Sequence, residues 1–155
     1  NGTPLLIHQF RYNMFTRGIE TDGLLDALED VGAGGICFSP LAQGLLSGRY
    51  LNDIPADSRA AKNGFLKADS ITPEKRALLN RLNAFAASRG LTLSELAFKW
   101  NLRDPRVTSV LMGASRVSQL EENLGFLTKP DLSSADLEEL DRVSADATPV
   151  ASAIA

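Results

Sequence analysis

Residues 107–123, VTSVLMGASRVSQLEEN, join a short apolar run to an amphipathic segment through Gly113-Ala114-Ser115-Arg116. Val107 to Met112 reads as a strand, because short apolar runs of this kind suit strands buried on both faces. After it, Leu120, Asn123, Leu124 and Leu127 recur at helical spacing, and Ser118 is placed to open that helix. Gly113 and Ala114 keep the crossing close. Ser115 and Arg116 stand just before a helix start, where backbone amides favour an anion. Gln119, Glu122 and Asn123 lie three and four apart, so they share one helical face with hydrogen-bonding groups suited to a ribose or a purine. A solvated helix face accounts for that spacing equally well.

The same strand-then-helix pattern extends on both sides. Pro4 to Gln9 and Gly35 to Ser39 are two more short apolar runs. Between them Leu24, Leu25, Leu28 and Val31 recur at helical spacing, with Thr21 or Asp22 as N-cap and Gly32 past the end. Thr72-Pro73-Glu74 opens a further helix: Thr caps, Pro fits the first position and Glu favours the positive end. Its apolar stripe is Leu78, Leu79, Leu82, Phe85 and Ala86. A second helix runs from about Ser94 through Leu96, Ala97 and Trp100 to a stop at Asp104-Pro105. Ser133 or Ser134 caps a last one through Leu137, Leu140 and Val143. Strands alternating with helices imply parallel pairing and right-handed crossovers, hence the α/β class. Only three strands are present, which leaves two open sheet edges. The gap from Ser47 to Ile71 is long for a structureless connection and carries Arg49, Arg59, Lys62 and Lys67; loops of that length are usually lids or disordered.

The composition bounds the function. A chain of 155 residues with 44% hydrophobic and 23% charged residues is one domain's worth of globular protein. Its net charge of -3, with no basic stripe, speaks against nucleic acid as partner. No apolar run reaches the roughly 20 residues of a membrane-spanning helix. The single cysteine, Cys37, sits between Ile36 and Phe38 like a small buried hydrophobe, which suits a reducing, cytoplasmic setting. One His and one Cys, far apart and with no carboxylate cluster beside them, predict no metal site. The Gly-x-Gly-x-x-Gly and Walker phosphate loops are both missing.

Polar residues follow each strand, at the edge where parallel α/β folds bind ligands. Gln9 would offer a donor and an acceptor to a carboxamide, although a solvated strand-end glutamine is the more ordinary explanation. Phe38 gives an aromatic face at a strand tip, a position that core packing fills more often than a cofactor does. Beyond it, Ser39, Pro40, Leu41, Gln43 and Gly44 form a small-residue turn that lets backbone approach phosphates.

Taken together, QFRYNMF, CFSPLAQGLLSGRY and GASRVSQLEENLGFL resemble the Gln-x-x-Tyr-Asn, Ser-Pro-Leu-Ala-x-Gly and Gly-Ala-Ser-x-x-x-Gln-Leu-x-Glu-Asn motifs of the aldo-keto reductases, in the C-terminal half of that family's fold. The likeness covers residues 4 to 143. It is nearest the bacterial L-glyceraldehyde 3-phosphate reductase type and is also similar to the β subunits of voltage-gated potassium channels. The resemblance implies the last three βα units and C-terminal helix of an eight-stranded (β/α) TIM barrel that binds NADPH and reduces a small-molecule carbonyl substrate. It implies that Gln9 holds the nicotinamide carboxamide and that Phe38 stacks on the ring. Ser39, Pro40, Leu41, Gln43 and Gly44 would line the pyrophosphate, with Arg49 and Arg59 above it. Gly113, Ser115, Arg116 and Gln119 would surround the adenosine ribose and its 2′-phosphate, and Glu122 and Asn123 would contact adenine.

The family's catalytic Asp, Tyr, Lys and His motifs have no counterpart here, so no catalytic residue is expected in this chain; His8, Tyr12 and Tyr50 are not substitutes. The expected organisation is a half-barrel over residues 1–145 with a flexible tail over 146–155, read as a piece of a longer enzyme and inactive alone. Two other roles share the scaffold: a regulatory nucleotide sensor of the channel-subunit type, and a half-barrel assembly module that pairs with itself as a homo-oligomer.

Overall fold

A computed structural model describes residues 2–62 and 66–144; the tail expected over 146–155 lies outside them. Three parallel strands, β1 (Ile7–Arg11), β2 (Gly34–Phe38) and β3 (Val107–Val110), form one sheet in that order. Ile7 pairs with Gly34 through to Arg11 with Phe38, and the register slips between Gly35 and Ile36 before Cys37 meets Val110. Helices α1 (Leu24–Asp30), α2 (Pro73–Ser88), α3 (Leu93–Asn101), α4 (Val117–Leu124) and α5 (Ser134–Ser144) complete the chain. This is a partial (β/α) barrel.

Sequence chemistry sets the helix starts. Thr72 accepts from the Lys75 amide at 3.2 Å, with Pro73 at the first helical position. Thr92 and Glu95 make a reciprocal capping box for α3, which starts at Leu93, one residue earlier than expected. Ser133 caps α5 by accepting from the Asp136 amide. Two expected caps are displaced. Gly23 occupies the N-cap position of α1, and Asp22 accepts instead from the Leu24 amide. Arg116, not Ser118, stands at the N-cap position of α4, and it makes no side-chain cap.

One face of the sheet meets the helices. Phe10 and Tyr12 of the β1 segment and Cys37 of β2 point into a core built from the stripes of α2 and α3, with Leu79, Leu82, Leu96 and Trp100 fully buried. Burial pushes the Cys37 thiol up to about 12, so it is an inert core side chain near neutral pH. Alternation along β1 turns Ile7, Gln9 and Arg11 to the opposite face, where Ile7 and Gln9 are exposed and Arg11 is half-buried. The expectation of strands buried on both faces fails there: Leu5, Leu6 and Ile7 are exposed. Leu120 and Leu124 of α4 and Leu127 just beyond it stay partly exposed, so the predicted apolar stripe is only partly covered, while Asn123 on the same helix is buried. The segment expected to be structureless, Ser47 to Ile71, instead sends Tyr50, Ser58, Ala60 and Leu66 into the core.

A network ties the strand end to α3. The Tyr12 hydroxyl donates to Glu20 at 2.8 Å and accepts from Arg103 at 2.6 Å. Arg103 also pairs with Glu20 and lies 3.6 Å above the Trp100 ring. Burial works against the Glu20 carboxylate, yet hydrogen bonds from Arg17, Tyr12 and Arg103 outweigh it and hold its pKa below the usual value. A lowered folded pKa means the contribution is fully present above the unfolded value, about 4.3, and is lost as pH falls through the folded one. Wild type should therefore exceed Glu20→Gln in urea stability at pH 7, and the gap should close on acidification below about pH 4. A gap independent of pH would show that the charge on Glu20 plays no part.

Candidate functional site

A cavity of about 600 Å3 opens at the C-terminal edge of the sheet, beyond the ends of β2 and β3. That is the edge at which open parallel sheets and barrels hold ligands. Three pieces of chain wall it. The first is the turn after β2, with Ser39, Pro40, Leu41, Gln43 and Gly44; the second is the long connection, with Arg49 and Arg59. The third runs from the end of β3 into α4, with Gly113, Ser115, Arg116, Gln119, Glu122 and Asn123. All the expected site residues except Gln9 and Phe38 thus line one space. Phe38 is the last residue of β2, immediately before the turn, and Gln9 stands exposed on the uncovered sheet face.

The turn is backbone held against its preference. Ser39, Ala42 and Gln43 have φ of 57°, 48° and 62°, all left-handed, and Gly44 reaches 100°. Non-glycine residues in that region cost on the order of 1 to 3 kcal/mol each and persist where surroundings impose them, commonly at ligand sites. Two buried asparagines impose this one. Asn13 Nδ2 donates to the Ser39 carbonyl at 3.0 Å, and Asn101 Nδ2 donates to the Pro40 carbonyl at 3.3 Å. Both asparagines are completely buried. Within the turn, Gln43 Oε1 is buried and finds no donor, so a ligand hydroxyl or amide would satisfy it.

The far wall is built for an anion. Helix α4 starts with no side-chain cap and no acidic residue in its first turn. Gln119 and Leu120 direct their amides to the Arg116 carbonyl, which leaves the amides of Val117 and Ser118 without intrahelical acceptors. Arg116 is exposed beside them. Gln119 Oε1 accepts from both the amide and the hydroxyl of Ser115, at 3.0 and 2.9 Å, which fixes the bend between β3 and α4. Arg49 does not stand free over the cavity: one of its Nη groups pairs with Asp57 at 2.6 Å inside the same connection.

Sequence reasoning missed Tyr50, Ser94 and Phe98, which also line the cavity. Ser94 and Phe98 ride α3, and on spacing alone they are indistinguishable from its core side. Their nearness to the turn is a tertiary fact.

Comparison with known proteins agrees with this architecture. The aldo/keto reductase family model matches residues 1–145. L-glyceraldehyde 3-phosphate reductase of Escherichia coli K12 is 48% identical over 148 residues, covering 92% of this chain and 42% of the relative; its counterpart in the O157:H7 strain matches to the same extent. The chain thus spans less than half the length of these curated relatives. Among solved structures, a glycerol dehydrogenase from Gluconobacter oxydans superposes with a TM-score of 0.77 at 23% identity, over 99% of this chain and 46% of that one, a likeness of fold. No helix among the described residues is long and apolar enough to cross a membrane. On the family match, with the partial barrel and the cavity at its strand ends, the chain belongs to the aldo/keto reductase family.

Proposed function

We propose that this chain, as one unit over residues 1–145, is the cofactor-holding part of an NADPH-dependent aldo/keto reductase that reduces an aldehyde or ketone to the alcohol. The observation that carries the reading is the convergence of Arg116, Ser115 and the uncapped amides of α4 at the end of β3. A phosphate placed there gains charge-assisted hydrogen bonds and the favourable end of the helix dipole. The remaining features fit the rest of a dinucleotide. A cavity of about 600 Å3 has suitable room, and the orphan acceptor of Gln43 matches a ribose hydroxyl.

In this reading Gly113, Ser115, Arg116 and Gln119 hold the adenosine 2′-phosphate and its ribose, and Glu122 and Asn123 face adenine. Ser39, Pro40, Leu41, Gln43 and Gly44 support the pyrophosphate, with Arg49 and Arg59 closing over it. Gln9 orients the carboxamide, and Phe38 lies under the ring. The nicotinamide, when bound, supplies the hydride. The chain's own residues bind it, set its face and exclude water from one side; none of them is assigned to proton transfer. The curated relatives described above are reductases, which favours turnover over a sensing role.

The test is a fluorescence titration with NADPH and NADH, followed by an assay of aldehyde-dependent NADPH oxidation. Saturable binding with preference for NADPH is expected, and turnover in the protein that carries the complete barrel. Absence of saturable binding to either nucleotide removes the reading.

A further inference from the structure

The sheet face that carries Gln9 and Phe38 also holds a guanidinium. Arg11 closes β1 and pairs in register with Phe38. Strand alternation places it on the face of Gln9, away from Phe10 and the helices. Its Nε and Nη2 are sealed from solvent and meet no acceptor. The arginines of the neighbouring network are all engaged: Arg17 and Arg103 with Glu20, and Arg106 with Asp104 and Asp26. Arg11 has no such carboxylate among the described residues.

Guanidinium donors sealed without an acceptor are held at a free-energy cost, so this position favours any oxyanion that reaches it. We infer that Arg11 receives the terminal oxyanion of the substrate, a phosphate or carboxylate at the far end of a short aldehyde. The planar fork of a guanidinium matches either group with two parallel hydrogen bonds. Receiving that group requires the fork to turn about its own side-chain torsions to the open face of the sheet. This inference rests on the reductase reading, which sets the nicotinamide against Phe38 and so brings the far end of a small carbonyl substrate beside Arg11. It adds a determinant of which carbonyls are used, apart from how the cofactor is held.

The experiment, in the protein that carries the complete barrel, compares kcat/KM for glyceraldehyde 3-phosphate and succinic semialdehyde with that for glyceraldehyde and butanal, in wild type, Arg11→Gln and Arg11→Lys. Wild type is expected to favour at least one anionic substrate over its neutral counterpart by on the order of 10- to 100-fold. That ratio should collapse toward one in Arg11→Gln and be partly kept in Arg11→Lys. The anion that shows the preference identifies phosphate or carboxylate as the group received. An equal loss on charged and neutral aldehydes, or an unchanged ratio, overturns the inference. If NADPH binds but no carbonyl is reduced, the reductase reading fails by itself. Calorimetric titration with glycerol 3-phosphate and with butyrate then decides the role of Arg11. Binding lost in Arg11→Gln supports it; binding that is absent, or equal in both proteins, rejects it.

Discussion

Gly35→Ala is expected to destabilise the fold by roughly 2 to 3 kcal/mol, in the upper part of the range for overpacking a tight interior. A Cβ at Gly35 would stand 2.8 Å from the Arg106 carbonyl oxygen and 2.9 and 3.1 Å from two carbons of the Phe10 ring. Neither neighbour yields easily. Arg106 is locked by Asp104 through its own amide and its guanidinium, and Phe10 is buried in the core. Gly34→Ala is the control, because the nearest atom to its added methyl is the Thr108 Oγ1 at 3.4 Å. Urea unfolding should show a lower midpoint at unchanged slope for Gly35→Ala and a much smaller shift for Gly34→Ala. Equal shifts would mean that the close crossing between β2 and the start of β3 carries no stability.

The second large effect is on cofactor choice. Arg116→Ala removes a charge-assisted contact to the extra phosphate of NADPH and nothing that NADH has, so it should weaken NADPH by about 1.5 to 3 kcal/mol, roughly 10- to 150-fold. NADH affinity should move far less. The two dissociation constants, measured side by side by fluorescence titration, check this. Equal weakening of both nucleotides would place Arg116 on the shared pyrophosphate or outside the site. Arg116 lies at the exposed mouth of α4, so the loss should also shrink with added salt.

The starts of α2 and α5 were legible because capping is local chemistry: Thr72-Pro73 and Ser133 announce themselves within four residues. The alternation of strand and helix pointed to parallel pairing, which the sheet shows, while the order β1-β2-β3 came from the structure. The clustering of Ser39 to Gly44 with Gly113 to Asn123 was anticipated only through the family motifs. Composition and spacing left those segments as separate, ambiguous strand ends. What escaped the sequence is long-range. Nothing local to Asn13 or Asn101 says that each amide will reach the carbonyl of a residue 26 or 61 positions away. The apolar stripe of α4 shows the converse limit: periodicity reports which side of a helix is greasy, and only the assembled chain shows that Leu120 and Leu124 are no more than partly covered.

Those two asparagines have a further consequence. The left-handed turn hangs from side chains rooted in the interior, one following β1 and one ending α3. Fraying of the cavity rim is therefore bound to the cooperative unit that includes the strand and the helix, with no separate low-energy opening of its own. A guest seated on that rim would slow backbone amide exchange deep within the molecule as well as at its mouth, gripping the whole unit from one corner.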